Sequence, residues 1–263
     1  MSSAATAEGA TSRRARLIGK GWIQGVALVM LFGFTVMGLL AYRTYTDSMP
    51  QPDRVVTSSG ETLFTTEDIT AGQRLFQARG LMEYGSILGH GGYLGQDFTA
   101  EYLRLEATSV GDQLAAEGVA DPATATRDML RTNRYDPSTG VLTWTDEQVT
   151  AYNEAVAHYT RLFGPEAHDH GLKPDLITDP TEVRQVTAFF GWTAWGSAAQ
   201  RPGLDYSYTN NWPPESLVGN APTGDLMIWS VLSLVVLIGG TGGMFAIYGR
   251  WSRKIGWRSE EAP

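Results

Sequence analysis

The chain has no cysteine and only four histidines, His90, His158, His168 and His170. Without thiols it forms no disulfide, no thiolate metal site and no covalently attached c-type haem. No internal repeat or low-complexity tract interrupts it. There is no G-x-S-x-G nucleophile elbow. The glycine-dense stretch Gly89-His90-Gly91-Gly92 is not followed by Lys-Ser/Thr, so it lacks the pattern of a phosphate-cradling loop. What the residues do carry is a very uneven distribution of apolar side chains.

The mean hydropathy of −0.17 hides that distribution. Residues 22–42 and 226–248 contain no Asp, Glu, Lys, Arg or His. Each run is long enough for a helix crossing a hydrocarbon core, which takes about 20 residues at about 1.5 Å rise. A buried core helix rarely runs this far without a charge. A cleaved signal peptide is disfavoured for the first run, because Arg43-Thr44-Tyr45-Thr46 offers no small-x-small cleavage site. Glycines in both runs permit close helix contacts, and Trp22, Tyr42, Tyr248 and Trp251 stand where interfacial aromatics belong.

Charge sets the orientation. Arg13, Arg14, Arg16 and Lys20 precede the first run, and Arg250, Arg253, Lys254 and Arg258 follow the second. Between them, residues 43–225 hold 12 Lys and Arg against 25 Asp and Glu, a net charge of −13. The positive-inside bias then gives a cytoplasmic tail at 1–21, membrane helices at 22–42 and 226–248, an extracytoplasmic domain at 43–225 and a second cytoplasmic tail at 249–263. An acidic domain of this kind argues against nucleic-acid binding.

Within that domain the patterns predict a mainly α fold with small β-hairpins. Arg54-Val55-Val56 and Thr62-Leu63-Phe64 flank a turn at Ser58-Ser59-Gly60. Thr65 or Thr66 caps a helix that stops at Gly80, and a glycine-dense loop fills 85–95. Helices are expected from about Thr99 to Glu106 and from Pro122 to Thr132. Tyr135 and Val141-Leu142-Thr143 flank a second hairpin turn. Thr145 and Gln148 form a capping box ahead of a helix facing inward through Tyr152, Val156, Tyr159 and Phe163. Asp179-Pro180 opens the last long helix, Val183 to Gln200.

The residues alone show no catalytic constellation. His168-Asp169-His170 alternates imidazoles with a carboxylate, a spacing metal ligands can use, but it sits in a polar loop after Gly164-Pro165, and a solvated surface is the expectation. His158, beside the apolar face of its helix, reads as a packing or surface residue.

The stretch from Gly72 to Phe98, GQRLFQARGLMEYGSILGHGGYLGQDF, resembles the haem-binding segment of the cytochrome c subunit of bacterial nitric oxide reductases. Gly72 and Phe76 match its helix, and Gly89, Gly91 and Tyr93 match its loop. Leu81, Tyr84 and Gly85 stand where the two cysteines and the haem-ligating histidine would be, so the attachment chemistry is missing. This combination resembles the quinol-dependent nitric oxide reductases of the haem–copper oxidase superfamily, in which a haemless cytochrome c-like domain precedes the catalytic helices. Further phrases are similar to that family: Asn133-Arg134-Tyr135-Asp136, Thr187-Ala188-Phe189-Phe190-Gly191-Trp192, and the run from Asp205 to Glu215, DYSYTNNWPPE.

The resemblance implies a bacterial inner-membrane protein in an assembly that reduces two nitric oxide molecules to nitrous oxide and water, with quinol as the electron donor in denitrification. It also implies haem b, non-haem iron and calcium in the complete enzyme, none of them bound by this chain alone. The partners implied are a catalytic multi-helix bundle, membrane lipids and the quinol pool, with a second copy of the chain as a further candidate. Family members continue into further helices bearing the histidine ligands, whereas this sequence stops at Pro263. The expectation is therefore a truncated or split reading frame, or a bundle made as a separate polypeptide. Tyr93 is the one metal-site residue carried over, its backbone carbonyl offered to calcium; packing at an interface is the alternative. Glu83, His90 and Asp97 could line a polar path, though solvated loop residues are the default. Two rival readings stay open: the same front portion of a nitric oxide dismutase, and a non-catalytic membrane-tethered binding or assembly module.

Overall fold

The computed structural model describes residues 20–251. Residues 1–19 and 252–263, which hold most of both expected tails and the basic residues Arg13, Arg14, Arg16, Arg253, Lys254 and Arg258, lie outside that description. The described chain divides into two compact units, one of residues 20–46 with 230–251, the other of residues 47–229.

In the first unit the 27-residue helix α1 spans Lys20–Thr46. Its Thr35, Thr44 and Thr46 hydroxyls donate to the carbonyls of Leu31, Leu40 and Tyr42 four residues back, at 2.8, 2.8 and 3.0 Å. Such back-bonding leaves fewer polar groups for the surroundings to satisfy.

The second unit begins with β1 (Arg54–Val56), β2 (Thr62–Thr65) and α2 (Thr66–Ala78). Thr65 is the cap of α2, in a reciprocal capping box with Asp68. Then come α3 (Leu81–Tyr84), β3 (Ser86–Ile87), β4 (His90–Gly91), α4 (Phe98–Ala116), α5 (Pro122–Arg131), β5 (Tyr135–Asp136) and β6 (Val141–Thr143). The unit closes with α6 (Asp146–Phe163), a 3-10 turn (Ala167–His170), α7 (Pro180–Ala198) and the first turns of α8 (Gly224–Trp251). The fold is mainly helical with small hairpins, as the patterns predict.

Three elements differ from expectation. The two outer hairpins join into one four-stranded sheet of order β2-β1-β6-β5, because β1 pairs in parallel with β6 and sets Val55 opposite Leu142, both buried. The glycine loop contains its own hairpin, β3 with β4. Helix α4 continues ten residues past Glu106, because Ala107, Val110 and Leu114 extend its buried face.

The two apolar runs fall on α1 and α8. Among the described residues no helix is long and apolar enough to cross a membrane. The unbroken stretches of described side chains, 33–46 and 224–240, are each shorter than the about 20 residues a bilayer requires. The spans expected over 22–42 and 226–248 include side chains outside that description, those of Trp22 and Tyr248 among them.

The core lies where α2 and α4 meet α6 and α7. Gly72 lets α2 approach α7 closely, since a Cβ there would stand 2.0 Å from the Gln185 carbonyl oxygen. Phe76, Phe98, Phe163 and Phe190 fill the centre, and Phe98 stacks on Phe190 at 4.7 Å between ring centroids. Each such ring contributes about 1.5–3 kcal/mol through burial.

Candidate functional site

The segment that carries the family resemblance forms a short chain of tightly packed turns above this aromatic core. Helix α2 ends at Ala78, and Gly80, just before α3, has a φ of 71°, the left-handed conformation that glycine adopts without a Cβ penalty. The chain then turns through α3 and folds back as β3–β4, with Leu88 and Gly89 at φ 53° and 81° making the tight turn. Gly92 donates to the carbonyls of Met82 and Gly85 at 2.7 and 2.9 Å, and Gly95 to that of Tyr84 at 2.7 Å. A Cβ on Gly92 would lie 2.1 Å from the Glu83 carbonyl oxygen, and one on Gly95 would strike the Tyr84 ring. The loop is therefore fixed by backbone packing that admits only glycine at these points.

Asp97 ties the loop to α4. Its Oδ1 accepts the Ala100 N–H that caps the helix, and its Oδ2 accepts from the Ser86 hydroxyl and the Gly89 N–H, both at 2.7 Å. A polar-path role is replaced by a structural one, because the carboxylate is consumed by these three donors. Thr99 extends the tie, accepting from Leu88 N–H at 3.2 Å and donating to the Thr193 hydroxyl on α7. The Trp212 indole N–H donates to the Leu88 carbonyl at 3.1 Å and covers Gly89 from outside. Glu83 and His90 are exposed, and the His90 ring contacts the Leu88 carbonyl at 3.1 Å.

The three positions aligned with haem attachment are occupied in other ways. Leu81 is fully buried in the core. The Tyr84 hydroxyl donates to Gln96 Oε1 at 3.3 Å. At Gly85 a Cβ would stand 2.4 Å from the Gln96 carbonyl oxygen and 2.8 Å from the Phe98 ring, so an imidazole has no room there. Two clefts, of about 640 and 400 Å3, lie elsewhere: one lined by the Asp205–Asn211 and Thr223–Trp229 segments, the other around Ser58 and Trp144.

Tyr93 and Leu94 stand at the loop tip, 86% and 87% exposed, with the Tyr93 hydroxyl 3.4 Å from the Gly89 carbonyl oxygen. Among the described residues no group of three or more His, Cys, Asp or Glu could hold a metal ion. His168-Asp169-His170 lies on the 3-10 turn, with His168 and Asp169 more than four-fifths exposed.

Two polar features were not legible beforehand. The first is a chain of contacts running from Tyr84 to Gln96, from Gln96 Nε2 to Glu101 Oε2 at 3.1 Å, and from Glu101 Oε1 to His158 Nε2 at 3.1 Å. It joins α3, α4 and α6, and His158 is partly buried within it. The second is Glu106, buried on α4, whose Oε1 accepts from Gln148 Nε2 at 2.9 Å. Desolvation pushes its carboxyl up to about 7, only partly opposed by that hydrogen bond. The spacing Phe98, Tyr102, Glu106 was the available signal, a carboxylate on an apolar stripe.

A family model for the cytochrome c-like domain of the NorB chain of nitric oxide reductase matches residues 52–214. No curated protein matches the chain.

Proposed function

Because the chain belongs to the NorB family of nitric oxide reductases through its cytochrome c-like domain, we propose that it is the haemless extracytoplasmic cap and membrane anchor of a quinol-dependent nitric oxide reductase. The observation that carries this reading is the interior beneath the glycine loop, where aromatic rings and Leu81 occupy the volume next to the former attachment positions. A domain built this way positions a partner and does not itself pass electrons. Its rigid loop presents Tyr93 and Leu94 outward, the kind of exposed apolar pair that a partner surface covers. The bundle supplying haem b and non-haem iron is that partner. Calcium belongs to the complete enzyme, with the Tyr93 carbonyl as this chain's contribution and the other ligands from the bundle.

Membrane anchoring is supported by the two uncharged sequence runs and by the side chains along them. Leu31, Phe34, Leu40, Ile228, Leu237 and Ile238 are 59–67% exposed, apolar side chains that lipid accommodates better than water. The acidic composition of 43–225 and the flanking basic residues support an extracytoplasmic domain with both termini cytoplasmic, in the bacterial inner membrane.

Affinity purification of the tagged chain from native membranes, with an absorption spectrum and mass spectrometry, tests the reading. A histidine-rich polypeptide carrying b-type haem is expected to copurify, with nitric oxide reduction by added quinol. Recovery of the chain alone and colourless would assign it to the non-catalytic module, and oxygen release from nitric oxide would assign the assembly to the dismutases. A covalent haem signal on a denaturing gel would overturn the haemless assignment. A reporter active only outside the cytoplasm, inserted at the exposed Gly118 turn, is expected to be active.

A further inference from the structure

Among the described residues Glu106 and Glu215 are the buried carboxylates, and their surroundings differ. Glu215 has the Arg104 guanidinium at 3.6 Å and accepts the Leu217 N–H at 3.0 Å. Glu106, 3% exposed on α4, has no ion pair, and its donor is the neutral amide of Gln148. The ionisable groups around it are few. Tyr102 lies one turn before it on α4, and Tyr152 stands on α6 with Arg184 of α7 stacked 5.7 Å from its ring. Arg134, just beyond α5, lines the smaller cleft together with Asp146 and Glu147. Neither arginine pairs with Glu106, whose hold on a proton is set by burial and opposed by the Gln148 hydrogen bond.

Gln148 couples that carboxylate to the start of α6. Its Nε2 donates to Glu106 at 2.9 Å, its Oε1 accepts the Thr145 N–H at 3.3 Å, and its own N–H donates to Thr145 Oγ1 at 3.4 Å. The same amide closes the capping box and meets the buried acid. The cleft of about 400 Å3 is lined by Ser58, Arg134 and residues 143–147. Thr145 belongs to both, so a single capping box joins the cleft to the acid. Two donors nearby are unsatisfied: the Tyr102 hydroxyl and the Trp144 indole N–H are buried without partners. Water admitted through the cleft would hydrate both together with the carboxylate.

We propose that Glu106 and the capping box of α6 form a pH-sensitive latch: the protonated acid keeps the first turn of α6 fastened, and its ionisation opens that turn toward the smaller cleft. An ionised Glu106 meets no cation inside the fold, so it gains by reaching water, and Gln148 is released with it. The folded carboxyl at about 7, against an ordinary 4.5, fixes the sign and the window. The turn is fastened below about pH 4.5 and loosens as pH rises through about 7. The latch answers to the pH around the cap and needs no ligand.

The test is amide hydrogen exchange of the full chain in detergent at pH 6 and pH 8, with each rate corrected for the intrinsic effect of pH. The two carboxyl values make the open turn about tenfold more populated at pH 8, so protection over residues 148–152 is expected to fall about tenfold. Helices α2 and α7 are expected to keep their protection. Glu106→Gln, which retains an oxygen for Gln148 and removes the ionisation, is expected to give equal protection at both pH values. Thr145→Ala, which breaks the box and leaves the acid in place, is expected to lower protection of the turn at both. Unchanged protection of the turn in the unsubstituted chain would overturn the proposal without recourse to any variant. A loss of the same size in α2 and α7 would also overturn it, because the whole cap would then be loosening. So would a pH-dependent loss that survives Glu106→Gln.

Discussion

Helices α7 and α8 are both rich in apolar residues, yet they have been given opposite surroundings. From Val183 to Ala198 almost every side chain of α7 is buried, and its apolar surface mixes aromatics with Gly191, Thr187, Thr193 and Ser197. Those hydroxyls donate to carbonyls three or four residues back, at 2.7–2.9 Å. Small residues alternate with large ones because α2, α4 and α6 press on α7 from different sides. Helix α8 is largely aliphatic along its described length, with Trp229 among its exposed side chains, and Val231, Val235 and Ile238 are 59–65% exposed. Its glycines Gly239 and Gly240 meet nothing within 4 Å. Variety in side-chain size marks a helix shaped to protein neighbours; the described apolar length of α8 stands exposed instead.

The sharpest way to break this comparison is to add carbon at matched glycines. Gly72→Leu, at the α2–α7 crossing, drives side-chain atoms into the Gln185 backbone and is expected to destabilise the cap by about 3 kcal/mol or more. Gly239→Ala on α8 is expected to change the same urea midpoint by less than about 0.5 kcal/mol, since the site is open. Equal effects at the two sites would refute the contrast. A charge sharpens it next: Leu237→Lys is expected to disfavour membrane integration by about 3 kcal/mol, read as the fraction resisting alkaline extraction.

Glu106 provides a pH test confined to the packed region. Its folded carboxyl, near 7, holds a proton more tightly than the ordinary value of 4.5. The associated stability is complete below about pH 4.5 and is lost as pH rises through about 7. Glu106→Gln keeps an oxygen for Gln148 Nε2 and removes the ionisation. It is expected to stabilise the cap by about 3 kcal/mol at pH 8 and by little at pH 4.5, measured by urea unfolding at both. A variant showing the same difference at both values would rule out ionisation as the cause. A smaller loss of stability, about 1 kcal/mol, is expected at Thr145→Ala, from the capping box of α6.

What was legible in the sequence follows from how local each signal is. Thr65, Thr145 with Gln148, and Asp179-Pro180 cap their helices through partners within three residues, and pattern alone finds such caps. The parallel pairing of β1 with β6 joins residues 54–56 to 141–143, and no local pattern encodes it. Asp97 stands directly before the apolar run of α4, which is the position of an N-cap, so its structural role was available, and the default reading as a solvated loop residue passed over it. His158 reads as a packing or surface residue from its place on α6, while its contact with Glu101 depends on where α4 and α6 meet. The helix expected to end near Glu106 is carried on to Ala116 by burial of Ala107, Val110 and Leu114.

The pinned glycine loop also makes the chain a convenient measuring instrument. The sequence is free of cysteine, and Leu94 projects from a backbone that Gly92, Gly95 and Asp97 hold in place. Leu94→Cys would therefore introduce a single reactive thiol at a fixed, accessible point. A spin label or fluorophore there reports distance and local polarity with little motion of its own anchor. Any body that settles on the cap would register as a change in that one signal, without removing a single native thiol to clear the background.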